Sequence, residues 1–199
     1  MNKKIAIIGA GGHGKVVGEI ALLNQYETIH FFDDRIDEIK NFPFTINGNL
    51  AQLKNDFKNY DEFFVAIGDN KTRHKKISWL REEKANIAVL IHPKSTISKF
   101  STLGVGTCVM ANAVVNPGTS VKDGVIINTS SSIDHDCVID DCSHISPNCS
   151  LSGNVSIGKF THLGSGTSVH PGIHVGENVK TGIGSKIFKN IFDKTVFKN

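Results

Sequence analysis

The apolar positions of this chain follow two different rules, and the change falls near Ile91. Up to that point short apolar runs alternate with segments whose apolar residues recur at helical spacing. "KIAIIG" (4–9) reads as a strand running into a glycine-rich turn, and "GKVVGEIALLN" (14–24) gathers its apolar residues on a helix face. "TIHFFDD" (28–34) predicts a second strand and "DEFFVAIGDN" (61–70) a third. "NKTRHKKISWLREEK" (70–84) sets Ile77 and Leu80 on one side with charges around them, as a surface helix does, and "NIAVLI" (86–91) reads as a last strand. Strands alternating with helices predict a small parallel α/β sheet, Rossmann-like, over residues 1–90.

From Ile91 the period becomes six, with no insertion or deletion as far as Phe192. Sixteen of the 17 hexads begin with Ile, Leu or Val, Thr181 being the exception. From Ser95 to Ser185 the fifth position holds only Ser, Thr, Ala, Cys, Val or Ile. A β-sandwich would need alternation with variable turns, which this constant register excludes. One large and one small inward residue per six instead predicts a β-helix, whose stacked coils share a continuous core. Cys137 and Cys149 occupy fifth positions and are expected inside, as small core residues.

Charge and cysteine usage narrow the function classes. With 22 basic and 19 acidic residues the net charge is +3, and no basic arm appears, so nucleic acid is not an expected partner. The apolar run of "MNKKIAIIGAGG" breaks at glycines and then meets His13 and Lys15, unlike a signal peptide. No stretch reaches the roughly 20 apolar residues of a spanning helix, so no membrane insertion and a cytoplasmic location are expected. The four cysteines form no C-x-x-C pair, which favours reduced thiols over disulfides or zinc.

The hexads resemble those of the hexapeptide-repeat acyltransferases, whose coils are left-handed and triangular with three hexads each. The resemblance implies a left-handed parallel β-helix over 91–199, with 18 residues per coil and five to six coils between 91 and 192. On that arithmetic the segment "IDHDCVIDDCSH" (133–144) is informative. His135 is third in its hexad and should project outward, and one coil on stands Gly153, with no side chain to block the imidazole. His144 stacks under His162, and core packing explains neither His135 nor His144. An imidazole suits acyl transfer because it takes up and releases a proton near neutral pH. A carboxylate beside it would set its tautomer and raise its basicity, and either Asp134 or Asp136 could do so. Neighbours on a strand point to opposite faces, so such a contact requires the chain to turn there.

The longer segment "NTSSSIDHDCVIDDCSHISPNCSLSGNVSIG" (128–158) is similar to the bacterial sugar acetyltransferases grouped with the sialic-acid O-acetyltransferases and UDP-4-amino-sugar N-acetyltransferases. Those proteins join a nucleotide-sugar-binding α/β domain to a left-handed β-helix and work as trimers. The resemblance implies His135 as general base, Asp136 as the residue that increases its basicity, and the Gly153 amide at the oxyanion. It implies acetyl-CoA contacts at His144, Ser165, Gly182 and Ile183. The C-terminal "IFKNIFDKTVFKN" (187–199) departs from the family by lacking a Gly-x-Pro-Ala-Lys-like segment.

"GAGGHG" satisfies G-x-G-x-x-G through Gly9, Gly11 and Gly14, with Asp33 and Asp34 about twenty residues on, as in a dinucleotide-binding fingerprint. The unit is too short for two mononucleotide-binding halves. A glycine loop at a helix N-terminus does let backbone N–H groups approach an anion. The resemblance assigns the loop to a sugar nucleotide, contacted by Gly11, Gly12, His13, Asp33, Asp34 and Gly68. All of these lie at C-terminal strand ends, where open parallel sheets bind ligands.

The expected activity is acetyl transfer from acetyl-CoA to a nucleotide-linked sugar, with N-acetylation of a 4-amino sugar for surface glycans in front. O-acetylation of sialic acid or another sugar hydroxyl stays open, as does the UDP, dTDP or GDP carrier. A metal enzyme on this scaffold would need histidine clusters, and the lone H-x-x-x-H, His170 to His174, has no companion, so no metal is expected. A non-catalytic binding protein would lack His135. An NAD oxidoreductase would need a catalytic site to accompany the glycine loop.

Overall fold

The computed structural model describes residues 3–198. They form two compact units, one ending at Pro93 and one starting at Lys94. The first holds strands β1 (Lys4–Ile8), β2 (Thr28–Phe32), β3 (Thr45–Gly48) and β4 (Glu62–Val65), and helices α1 (Gly12–Leu23), α2 (Leu50–Asp56) and α3 (Asn70–Glu82). The four strands run parallel in the order β3-β2-β1-β4. Ile5, Ile7, Phe31 and Phe64 are buried in the sheet, and Val17, Ile20, Ile77 and Leu80 bury the inner faces of α1 and α3. A parallel sheet covered in this way reads as continuous apolar runs, which is why β1, β2 and β4 are visible in the sequence.

Two elements of this unit have no apolar run to announce them. β3 is an edge strand whose "TING" buries only Gly48. α2 is short, but its start carries a readable signal. Asn49 Oδ1 accepts the Gln52 amide at 3.1 Å, and Gln52 Oε1 accepts the Asn49 amide at 2.7 Å, a reciprocal capping box. "NIAVLI" is not the continuous strand its composition predicts. It makes one bridge, Ile87 to Phe63, and a two-residue strand at Leu90–Ile91. Ile87, Ala88 and Leu90 are apolar because they are buried, not because the whole run pairs.

The second unit is a left-handed parallel β-helix of two-residue strands. As far as Ile187 the rungs join residues 18 apart: Ile133 lies beside Leu151, Ile139 beside Ile157 and Ile145 beside Leu163. The last coil is two residues shorter, with Ile191 beside Val175 and Val196 beside Lys180, so the unbroken hexad register expected as far as Phe192 ends at Ile187. First-position residues from Val109 to Val175 and fifth-position residues from Thr107 to Ser185 all face the interior. The fifth position is small for a second reason besides space. Ser131, Ser143 and Thr161 direct their hydroxyls to the carbonyls of Ser146, Gly158 and Gly176, at 2.8, 2.9 and 2.7 Å. Buried backbone acceptors are satisfied in this way without water. Cys137 and Cys149 put their thiols on the Ser152 and Gly164 carbonyls, at 3.2 and 3.3 Å. Burial pushes the Cys149 thiol up to about 11, which keeps it inert. Thr181, the exceptional first-position residue, accepts the Gly164 amide at 2.9 Å and meets Thr167 Oγ1 at 3.0 Å.

Candidate active site

His135 and Asp136 lie in the turn between the strands Ser132–Ile133 and Val138–Ile139, at one corner of the β-helix. The turn requires a left-handed residue, and Asp136 supplies it with φ of 58°. Aspartate is among the few non-glycine residues that take this conformation readily. The bend brings its carboxylate back onto the preceding ring, with His135 Nδ1 at 2.8 Å from Asp136 Oδ2. Asp134 makes a different contact: its Oδ1 accepts the His135 backbone amide at 2.8 Å and the Asn116 side-chain amide at 3.0 Å. Asp136 is therefore the carboxylate on the imidazole, and Asp134 holds the turn.

Both aspartates act on the ring electrostatically. The hydrogen bond to Asp136 comes first and the charge of Asp134 second, and together they raise the imidazole above its ordinary pKa. The His135 amide and then the Asn116 amide hold Asp134 below the usual carboxylate range. With Nδ1 donating to Asp136, the basic lone pair is on Nε2. A Cβ built on Gly153, one coil on, would stand 2.5 Å from Cε1 and 2.6 Å from Nε2. The ring thus occupies the place of the missing side chain. Gly118, one coil back, makes similar room, since a Cβ there would stand 2.3 Å from Asp136 Oδ1.

The residues expected to meet acetyl-CoA lie elsewhere on the same chain. His144 opens the strand His144–Ile145 on another face, half-buried, with its ring stacked on His162 at 4.4 Å between centroids and 18° between planes. Asn128 Nδ2 lies 3.2 Å from His144 Nε2. This stack on His162 is the one the 18-residue step predicts, and His144 is held by it and not by the buried core. Ser165 and Ile183 stand one above the other at a different corner from His135, and the Ser165 carbonyl accepts the Gly184 amide at 2.8 Å. Gly182 precedes Ile183, whose side chain is 84% exposed. One chain thus brings His135, Asp136 and Gly153 together, and sets His144, Ser165, Gly182 and Ile183 apart from them.

The first unit has its own concavity. A cleft of about 690 Å³ at the C-terminal ends of β1, β2 and β4 is lined by Gly11, Gly12, His13, Asp33, Asp34 and Gly68, with Arg35 and Lys76 at its margin. The glycines divide by task. Gly9 turns through φ of 107°, and a Cβ on Gly14 would stand 2.4 Å from the Gly9 carbonyl, so these two serve the turn itself. Gly11, Gly12 and Gly68 have nothing within 4 Å of an added Cβ, so their backbone is open to a ligand. Asp33 Oδ2 accepts the Ala10 amide at 2.9 Å and so ties β2 to the glycine loop. Burial opposes its charge, but the amides of Ala10 and Arg35 and the Arg35 side chain outweigh burial and hold its pKa low. Asp34 Oδ1 accepts the Leu50 amide at 3.1 Å. Burial, and then the charge of Arg73, lower His13 to about 4, so it is neutral at neutral pH.

A corner histidine paired with a carboxylate, on a hexapeptide β-helix that follows an α/β unit with a glycine-lined cleft, defines a two-part hexapeptide-repeat enzyme. Known proteins agree. The PglD N-terminal domain family matches residues 4–80. The acetyltransferase domain of PglB from Neisseria gonorrhoeae FA1090, solved in complex with acetyl coenzyme A, is 39% identical with a TM-score of 0.95, covering 100% of this chain and 97% of that one. A mutant of perosamine N-acetyltransferase from Caulobacter crescentus, solved with CoA and GDP-perosamine, is 31% identical with a TM-score of 0.93, over 100% and 95% of the two chains. UDP-N-acetylbacillosamine N-acetyltransferase of Bacillus subtilis (strain 168) is 34% identical over 118 residues, 55% of this chain and about half (52%) of that enzyme's length. The chain belongs to the hexapeptide-repeat sugar acetyltransferases.

Proposed function

We propose that this protein transfers the acetyl group of acetyl-CoA to the 4-amino group of a nucleotide-linked sugar. The observation that carries the assignment is the 2.8 Å pairing of His135 Nδ1 with Asp136, which leaves Nε2 as the base. The amine attacks the thioester carbonyl and gives up its proton to Nε2. The C–N bond forms, and the Gly153 amide supports the oxyanion. The C–S bond then breaks, and the proton held by His135 is available to the leaving thiolate. Raising the basicity of the imidazole helps the first step, and the open ring edge over Gly153 gives the amine access.

Relatives with bound ligands support the two substrates: one carries acetyl coenzyme A, and another carries CoA with GDP-perosamine. In this reading the cleft at Gly11, Gly12, His13, Asp33, Asp34 and Gly68 holds the nucleotide carrier. His144, Ser165, Gly182 and Ile183 contact acetyl-CoA. Because they stand apart from His135 in one chain, a neighbouring copy supplies them to each base, and the enzyme is a homotrimer. The expected setting is the cytoplasm; no described helix is long and apolar enough to cross a membrane.

Release of free thiol from acetyl-CoA, followed against nucleotide-linked 4-amino sugars and their 4-hydroxy counterparts, tests the assignment. Turnover of at least one amino sugar is expected. Thiol release with the 4-hydroxy compounds alone would make the protein an O-acetyltransferase.

A further inference from the structure

We propose that Arg73, fully buried in the first turn of α3, is the positioning residue of the nucleotide-sugar cleft. It clamps the Ile67–Gly68 loop from behind and fixes a positive charge against which the diphosphate is held. This rests on the assignment of that cleft to a nucleotide sugar.

Arg73 is 0% exposed, unusual for a guanidinium, on a helix whose Lys71, Lys75 and Arg81 are exposed. Its Nη1 donates to two successive main-chain carbonyls, Ile67 at 2.9 Å and Gly68 at 3.0 Å, and its Nη2 donates to Asn70 Oδ1 at 2.8 Å. Drawing two successive carbonyls to one nitrogen has a direct consequence for the loop. In a trans peptide the N–H points opposite to the carbonyl, so the amides of Gly68 and Asp69 are turned away from Arg73. Gly68 and Asp69 both line the cleft, and Gly68 has open space where a side chain would be. Paired amides aimed in this way form an anion-binding concavity.

The charge of Arg73 is also felt in the cleft. It acts on His13, after burial itself, to keep that ring neutral. The cleft wall carries the carboxylates of Asp33, Asp34 and Asp69, an unfavourable lining for a diphosphate. Arg35 and Lys76 pair with Asp33 and Asp34 at the cleft margin, and a cation locked behind the loop adds a further fixed positive charge. Lysine would keep the charge, but as a single ammonium it cannot reproduce the planar fork that reaches Ile67, Gly68 and Asn70 together.

The test titrates UDP and GDP by calorimetry into the full chain, Arg73→Lys and Arg73→Met. Emission of Trp79, the single tryptophan and part of α3, reports whether the unit is folded. Arg73→Met is expected to weaken diphosphate binding about tenfold, equivalent to about 1.4 kcal/mol, with Arg73→Lys between it and wild type. In turnover, KM for the nucleotide sugar rises in parallel, while kcat and KM for acetyl-CoA stay within about twofold. A folded variant that binds UDP or GDP as tightly as wild type overturns the inference alone. So does loss of native Trp79 emission in both variants, which would make Arg73 a stability residue. Wild-type protein that binds neither diphosphate overturns the assignment of the cleft and the inference with it.

Discussion

His13 and His135 are both singled out by the sequence, and the structure drives their protonation in opposite directions. His13 is lowered to about 4 by burial and then by Arg73. His135 is raised, by Asp136 on its ring and then by the charge of Asp134, with its side chain 55% exposed. The difference separates two tasks an imidazole can perform. A ring that stays neutral across the physiological range presents a constant hydrogen-bonding pattern to a ligand. A ring whose charged form is stabilised by a carboxylate is built to accept a proton. Burial makes one; a turn that folds an aspartate back onto its neighbour makes the other.

Substitutions can break that comparison. His135→Ala is expected to lower kcat about 10²–10⁴-fold, the usual contribution of a general base, with both KM values nearly unchanged. His13→Ala should instead act on KM for the nucleotide sugar, and equal effects on kcat would erase the distinction. Gly153→Ala places a methyl 2.5 Å from His135 Cε1 and should cost about 10²-fold in kcat, because the ring must leave its position.

Asp136→Asn has a smaller effect on rate and a clear one on pH. If His135 is the base proposed above, its active form is the deprotonated ring, and the rate falls as pH drops through its raised pKa. Removing its first cause of elevation moves that acidic limb to lower pH, and a pH profile of kcat/KM measures the move. A limb that stays in place would show that Asp136 does not tune the base.

His13 sets a stability window of opposite sense. Its folded pKa lies below its unfolded value of 6.5, so the unfolded chain binds the proton more readily. Its contribution is full above about 6.5 and is lost as pH falls toward 4. Chemical denaturation at stepped pH should show this loss in the wild type and less of it in His13→Gln. The smallest effect belongs to the β-helix wall. Thr181→Val removes the acceptor of the Gly164 amide and should cost about 1 kcal/mol in denaturation, although it restores the hexad rule.

The hexad register made the β-helix legible because each large first-position residue and each small fifth-position residue meets the same interior constraint in successive 18-residue coils, whereas the two-residue shortening after Ile187 leaves no signal in that pattern. The same 18-residue step places Gly153 beside His135 and His162 beside His144 from the sequence alone. The hexad pattern leaves the choice between Asp134 and Asp136 open, since it depends on the left-handed φ of residue 136, and only the family resemblance points to Asp136. Asn116 escaped notice, though it stands 18 residues before Asp134, the carboxylate it holds. Arg73 reads as one of several cations on a surface helix, and only its burial distinguishes it. α2 was missed for want of apolar periodicity, although the Asn49–Gln52 box was present to be read.

The proposed reaction carries the acetyl group to a nitrogen at C4 of a nucleotide-linked sugar, with His135 as the base. The most direct measurement is nuclear magnetic resonance of the product formed from acetyl-CoA and a nucleotide-linked 4-amino sugar, by wild type and by His135→Ala in parallel. An amide at C4 that is stable to mild base, and is formed at a strongly reduced rate by the variant, is the predicted result. An alkali-labile ester on a sugar hydroxyl, or an amide formed equally fast without His135, would contradict it.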